Sequence, residues 1–235
     1  MAKRKVNKRK QLLKEPDEFL VFSRRMFNYT MAHFQYVLAG LGGIIVIALI
    51  ALGIRAWQQS SENSGALKLT EAKSTFYKSL EENPQNIEAA FSSAESAFET
   101  VIEDYSGTVA GKMGTIVYAN MCYETGRYNK AITLYESALN YFEPTSSLYP
   151  LIRYNLGYAY VANKEYDKAL KILEKDAFSP EGLMQSDMLF LLSLVYDHKG
   201  NVEKRDEIFK MIASGDDSAL FYNIVKNHLS KQHSS

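Results

Sequence analysis

The stretch ETGRYNKAITLYESAL (Glu124 to Leu139) decides the fold, because it recurs. Downstream the chain reads ANKEYDKALKILEKDA (Ala162 to Ala177) and then HKGNVEKRDEIFKMIA (His198 to Ala213). Aligned on the residue between two helical segments, the anchors are Ala97, Ala131, Ala169 and Arg205, at intervals of 34, 38 and 36 residues. Each of the last three copies follows an apolar helical stretch: Met113–Tyr123, Leu151–Val161 and Met188–Tyr196. A fixed period of this size marks a stack of supersecondary units, none of which can bury its apolar face alone.

The residue types fit a helix–turn–helix unit. Leu156-Gly157 and Leu192-Ser193 set a large residue beside a tiny one, which lets a partner helix approach closely. Gly126 and Gly200 stand where the first helix of a pair must end in a left-handed conformation. Tyr128 and Tyr166 open the second helix and fill the gap between the two, and Ala131 and Ala169 lie at the close crossing. Tyr135, Leu173 and Phe209 are placed to pack on the next unit. The pattern resembles the tetratricopeptide repeat. Arg205 departs from it, since a small residue is expected there, so the last unit has to splay or send that side chain to solvent. Ahead of the clear copies, Ala66–Glu81 and Asn86–Asp104 read as helices separated by Asn83-Pro84, with Ala72, Phe76, Leu80 and then Ala90, Phe91, Ala94, Phe98, Val101 on one face. This is a divergent first unit (66–105), as terminal repeats often are. Repeats follow at about 112–145, 150–183 and 186–215, and Ala219, Leu220, Phe221, Ile224, Val225 and Leu229 predict a capping helix over 217–230.

Outward from the repeats, the N-terminal end is of another kind. The whole chain balances 27 basic against 27 acidic side chains, and its 46% hydrophobic and 23% charged residues are those of an ordinary folded protein. The first 25 residues, however, hold nine Lys/Arg against three acids (Glu15, Asp17, Glu18). From Met26 to Ile54 nothing is charged, and YVLAGLGGIIVIALIALGI (Tyr36 to Ile54) would cover roughly 28 Å as a helix, close to the ~30 Å core of a bilayer. Tyr36 and Trp57 sit where interfacial aromatics belong, and no polar stripe interrupts the run. The apolar run is too long for a cleaved signal peptide and no good small-x-small site follows it, so an uncleaved signal anchor is expected. The expected division is a basic cytoplasmic tail (1–33), a transmembrane anchor (34–57), a linker (58–65) and a repeat domain (66–235). Bases crowd the N-terminal side while QQSSENSG (Gln58 to Gly65) has none, which places the N-terminus in the cytoplasm and the repeat domain across the membrane. Pro16-Asp17-Glu18 reads as a helix start. The apolar residues from Phe19 to Met31 then fit either an amphipathic helix at the membrane surface or an extension of the spanning helix. Ala39 and Gly43 have the spacing of a helix-pairing motif and allow a homo-oligomer.

Chemistry is sparse. There is no phosphate-binding glycine loop and no metalloprotease or serine-hydrolase motif. His33, His198, His228 and His233 share no ligand spacing, and Cys122, the single cysteine, reads as a small buried hydrophobe. Glu136, Glu165, Asp167 and Glu174 read as solvent-facing partners of nearby lysines. No catalytic, metal or cofactor site is expected, nor a nucleic-acid partner, and the chain reads as a non-enzyme. Function then falls to the concave wall, which the first helices of the units line: Ile116, Asn120, Tyr123, Tyr154, Asn155, Tyr158, Phe190, Leu194 and Asp197. Such a wall suits an apolar or extended protein segment, because tyrosine and phenylalanine offer contact area at low entropic cost. The same aromatics could instead pack against the C-terminal helix. In tetratricopeptide domains that grip a C-terminal carboxylate, Lys/Arg and Asn occupy these positions; Asn120 and Asn155 match, but Ile116, Asp187 and Leu191 replace the bases.

Taken together, the predicted class is all-α, a single N-terminal transmembrane helix followed by a tetratricopeptide-repeat α-solenoid. The segments LLKEPDEFLVFSRR (Leu12 to Arg25) and AFETVIEDYSGTVAGKMGTIVYANMCYETGRYNKAI (Ala97 to Ile132), the latter with its Asp104-Tyr105-x-Gly107-Thr108 join, resemble a bacterial family of membrane-anchored repeat proteins that includes the ancillary subunit of the Sec translocon. The resemblance implies a single-pass inner-membrane protein with its C-terminal domain in the periplasm. It implies a scaffold assisting export or assembly, with translocon or chaperone components as partners. A structural or regulatory tether of envelope or division machinery is the alternative.

Overall fold

The computed structural model describes residues 18–178, 184–215 and 221–232. Those residues form ten α-helices and no strand, and they divide into two units, Met1–Gln58 and Gln59–Ser235. The basic tail up to Asp17, including the expected helix start at Pro16, lies outside the described residues, as do the expected repeat end at 179–183 and the first residues of the capping helix, 217–220.

In the first unit, α1 (Glu18–Ala32) and the start of α2 (Phe34–Glu82) are separated by His33 alone. The backbone bonds continue through the junction, with His33 N donating to Tyr29 O at 3.0 Å and Val37 N to His33 O at 3.1 Å. The apolar segment therefore has a one-residue break rather than a separate surface helix. Its Leu, Ile and Val side chains from Val37 to Ile54 are all exposed. A helix apolar on every side with no described residue covering it matches a bilayer span in length and composition.

The second unit is a series of antiparallel helix pairs. Its helices are the end of α2, α3 (Ile87–Asp104), α4 (Val109–Glu124), α5 (Tyr128–Leu139), α6 (Leu148–Ala162), α7 (Tyr166–Ala177), α8 (Gln185–His198), α9 (Val202–Ala213) and α10 (Tyr222–Gln232). From α3 onward each helix packs mainly on its neighbours in sequence, as a linear stack requires. Ala131 and Ala169 are fully buried at the crossings. The column of small residues that admits the partner helix is Ala119, Gly157 and Ser193, all buried. At Gly157 a β-carbon would stand 2.6 Å from Leu173 Cδ2, so the crossing leaves no room for one. Gly126 and Gly200 take the left-handed turn, with φ of 76° and 72°. In the unit between them Lys164 holds the same conformation at 61°, without the glycine that removes its cost. Helix starts are capped by Asn86, Thr108 and Asn201, each accepting from a backbone N–H three residues on.

Three features differ from the sequence expectations. The stretch Gln58–Gly65, expected as a linker, is helix and belongs to α2. It contains no proline, and Gly65 is buried against Tyr105, Thr108 and Ala110. Glu62 reaches the start of α4, where both its carboxylate oxygens accept from Val109 N at 3.0 Å, an anion on a helix N-terminus. Arg205 neither splays the last unit nor escapes: Nη1 donates to Asp197 at 2.5 Å and Nε to Asp206 at 2.9 Å. Glu136 and Glu174 serve the next unit rather than nearby lysines. Glu136 accepts from Tyr160 Oη at 2.5 Å, and Glu174 from Tyr196 Oη at 2.6 Å. A lysine lies over each of those rings, Lys168 at 5.5 Å and Lys204 at 4.9 Å. The first pair of neighbours repeats the theme: Lys130 lies over Tyr118 and bonds Glu95 and Glu99 at 2.8 and 2.9 Å. This Glu–Tyr–Lys stitch, recurring between successive units, adds direction to an otherwise apolar interface.

Candidate protein-binding concavity

The first helices of two successive repeats, α4 and α6, carry Asn120 and Asn155, one repeat apart at 35 residues in sequence. Tyr135 on α5 donates to Asn120 Oδ1 at 2.6 Å, and Asn155 Nδ2 approaches the same oxygen at 3.4 Å. That oxygen is thereby occupied by two donors, while the Asn120 amide nitrogen and the Asn155 carbonyl have no hydrogen bond to a described residue. Tyr154 and Tyr158, one helical turn apart on α6, meet edge to face with centroids 4.8 Å apart, and Tyr154 Oη donates to Tyr158 Oη at 3.2 Å. Tyr123, at the end of α4, packs on Tyr128 at 5.6 Å. These side chains line a concavity of about 400 Å³ together with Glu124 and Tyr135. A smaller hollow of about 150 Å³ shares Asn120 and Glu124 with it and adds Lys73, Phe76 and Tyr77 of α2. Five of the residues placed on the wall by sequence, Asn120, Tyr123, Tyr154, Asn155 and Tyr158, thus come together.

The others do not. Phe190 is stacked on Phe221 at 4.0 Å and 3°, just ahead of α10, so this aromatic is covered by the segment that leads into the C-terminal helix. Asp197 is taken by Arg205, Leu194 is half-buried, and none of the three lines the concavity. Ile116 and Leu191 are buried in the apolar core. Sequence reasoning overlooked Glu124 and Tyr135. Glu124 follows Asn120 by four residues and so shares its helix face, which was the available signal.

The tyrosines of the concavity are partly buried or buried. Burial, then the bond and proximity to Tyr158, push the Tyr154 phenol up from its ordinary value, with Asp187 adding to the rise; burial also raises Tyr123 and Tyr135. All three phenols stay neutral donors and acceptors at physiological pH. Cys122 is buried behind the wall, its thiol pushed up to about 12 by burial, and is therefore unreactive as a nucleophile. Among the described residues no three His, Cys, Asp or Glu side chains gather to hold a metal ion.

The model of the tetratricopeptide repeat-like domain matches residues 34–181, which includes the apolar segment as well as the first repeats. No curated protein matches the sequence. Paired helices, small residues at the crossings and left-handed turns at fixed intervals agree with that match, and the chain belongs to the tetratricopeptide repeat-like domain family.

Proposed function

We propose that this chain is a membrane-anchored protein-interaction module. The apolar start of α2 holds it in a bilayer, and the repeat stack offers the tyrosine–asparagine concavity to an extended segment of another protein. Repeat domains of this family are in general protein-binding modules rather than enzymes. The observation that carries the proposal is the concavity itself: Asn120 and Asn155 from successive repeats line it and can pair with a peptide backbone, and neutral phenols supply contact area between them. The charge-free run from Met26 to Ile54 supports the anchor, and the bases ahead of it support a cytoplasmic N-terminus with the repeats on the outer side of a bacterial inner membrane. The resemblance to the family of the translocon's ancillary subunit supports a role in export or assembly.

A photo-reactive phenylalanine analogue at Tyr158 tests this in intact cells, with the same analogue at Lys171, outside the concavity, as reference. The expected result is covalent adducts from position 158 and not from 171, the captured proteins being translocating chains, translocon components or chaperones. Equal adducts at both positions would remove the concavity from the account. Wall-synthesis or division proteins in the adducts would move the role to a tether.

A further inference from the structure

Resting on the docking role proposed above, we infer that the concavity receives a cationic side chain, lysine or arginine, carried by an extended segment of the partner. Charge is the first argument. Among the described residues Glu124 is the one carboxylate lining the concavity and no Lys, Arg or His lines it, Lys73 lying instead in the smaller hollow that adjoins it. Neighbouring acids in the stack are paired: Glu88 with Arg127, while Glu95 and Glu99 share Lys130. Glu124 has no hydrogen bond or ion pair with any described residue, and it is exposed. Asp187 stands close enough to Tyr154 to act on its phenol, so a second negative charge flanks the same wall.

Ring geometry is the second argument. Tyr154 and Tyr158 stand perpendicular, at 89°, and with Tyr123 and Tyr135 they bring four rings to one hollow. Tyrosine faces are negative and attract ammonium and guanidinium groups, more strongly as water is excluded. Tyr135 and Tyr154 turn their hydroxyl donors onto neighbours, so these two do not oppose a cationic guest. A purely apolar side chain would leave the Glu124 charge without a partner, and an acidic one would be repelled by it. A hollow of about 400 Å³ exceeds one long side chain and leaves space for the backbone that carries it.

The test uses the full chain in detergent micelles and two fluorescent peptides, alike except that one central lysine is replaced by norleucine, which keeps the stem and removes the charge. Anisotropy at physiological ionic strength is expected to show the lysine peptide bound about tenfold more tightly. Glu124→Gln should cut that preference to about threefold or less while leaving the helical circular dichroism unchanged. Equal binding of the two peptides, or a preference that survives Glu124→Gln, overturns the cation reading and leaves the docking role in place. If neither peptide binds while crosslinking at position 158 still captures proteins, the cation reading fails alone; if that capture is also absent, both fall.

Discussion

Replacing Gly111 with alanine is expected to lower the stability of the repeat domain by about 3 kcal/mol, the upper end of the cost of overpacking. Gly111 lies in the first turn of α4, where its N–H donates to the capping Thr108 Oγ1 at 2.9 Å. A β-carbon there would stand 2.0 Å from the backbone oxygen of Tyr105. That oxygen cannot swing aside as a side-chain tip could, because Thr108 holds it through N at 2.8 Å and Oγ1 at 2.7 Å. The same loop receives Glu62 and Gly65 from α2, so a shift of Tyr105 would loosen the first helix of the domain as well. Thermal unfolding of the full chain in micelles should show the midpoint lower by about 6–12 °C. Gly107→Ala, four residues earlier with nothing within 4 Å of the added carbon, serves as the comparison and should change stability by no more than about 0.5 kcal/mol. Equal effects from the two substitutions would show that the tight join is not what holds the divergent first unit to the second.

Phe98→Ala is expected to cost about 3–5 kcal/mol, the usual range for removing a buried ring. Phe98 is 1% exposed on α3, and its ring stacks on Tyr118 of α4 at 5.4 Å and 7°. Tyr118 also packs on Phe91 at 6.2 Å, and its hydroxyl lies among Glu95, Glu99 and Lys130, so one cavity would disturb both the apolar and the polar contacts of this interface. In a stack held by nearest neighbours the damage should stay local. Hydrogen exchange is therefore expected to speed up in Ile87–Glu124 and to change little in α8 and α9. Uniform acceleration over all the helices would mean that the domain unfolds as one body and that the linear description is wrong.

Much of this architecture is legible in the sequence because short-range rules govern it. Alanine at positions 131 and 169 is demanded by helices that nearly touch, and glycine at 126 and 200 by backbone that must turn with positive φ. Both demands fall on single residues at fixed spacing. The amphipathic reading of 86–104 succeeded for the same reason, and Ala90, Phe91, Ala94, Phe98 and Val101 are all buried. The unread parts depend on residues far apart in sequence. Glu62 can be seen as a helix cap only once Val109 is known to lie beside it, and without that contact QQSSENSG has the composition of a linker. Pairing of Glu136 with Tyr160 and of Glu174 with Tyr196 crosses from one unit to the next, whereas sequence spacing favours lysines on the same helix. At the wall, Phe190 and Tyr154 carry the same apolar signal, and only the position of Phe221 distinguishes the covered ring from the open one.

The choice of partner depends on the repeats being anchored and lying across the membrane from the basic tail. Single cysteines at Ser23 and Ser64, on either side of the charge-free run and both exposed, test this directly, because the natural Cys122 is buried. With a membrane-impermeant maleimide applied to spheroplasts, the account predicts labelling at position 64, and at position 23 only after the membrane is permeabilised. Labelling at 23 but not 64, or equal labelling of both before permeabilisation, would contradict it.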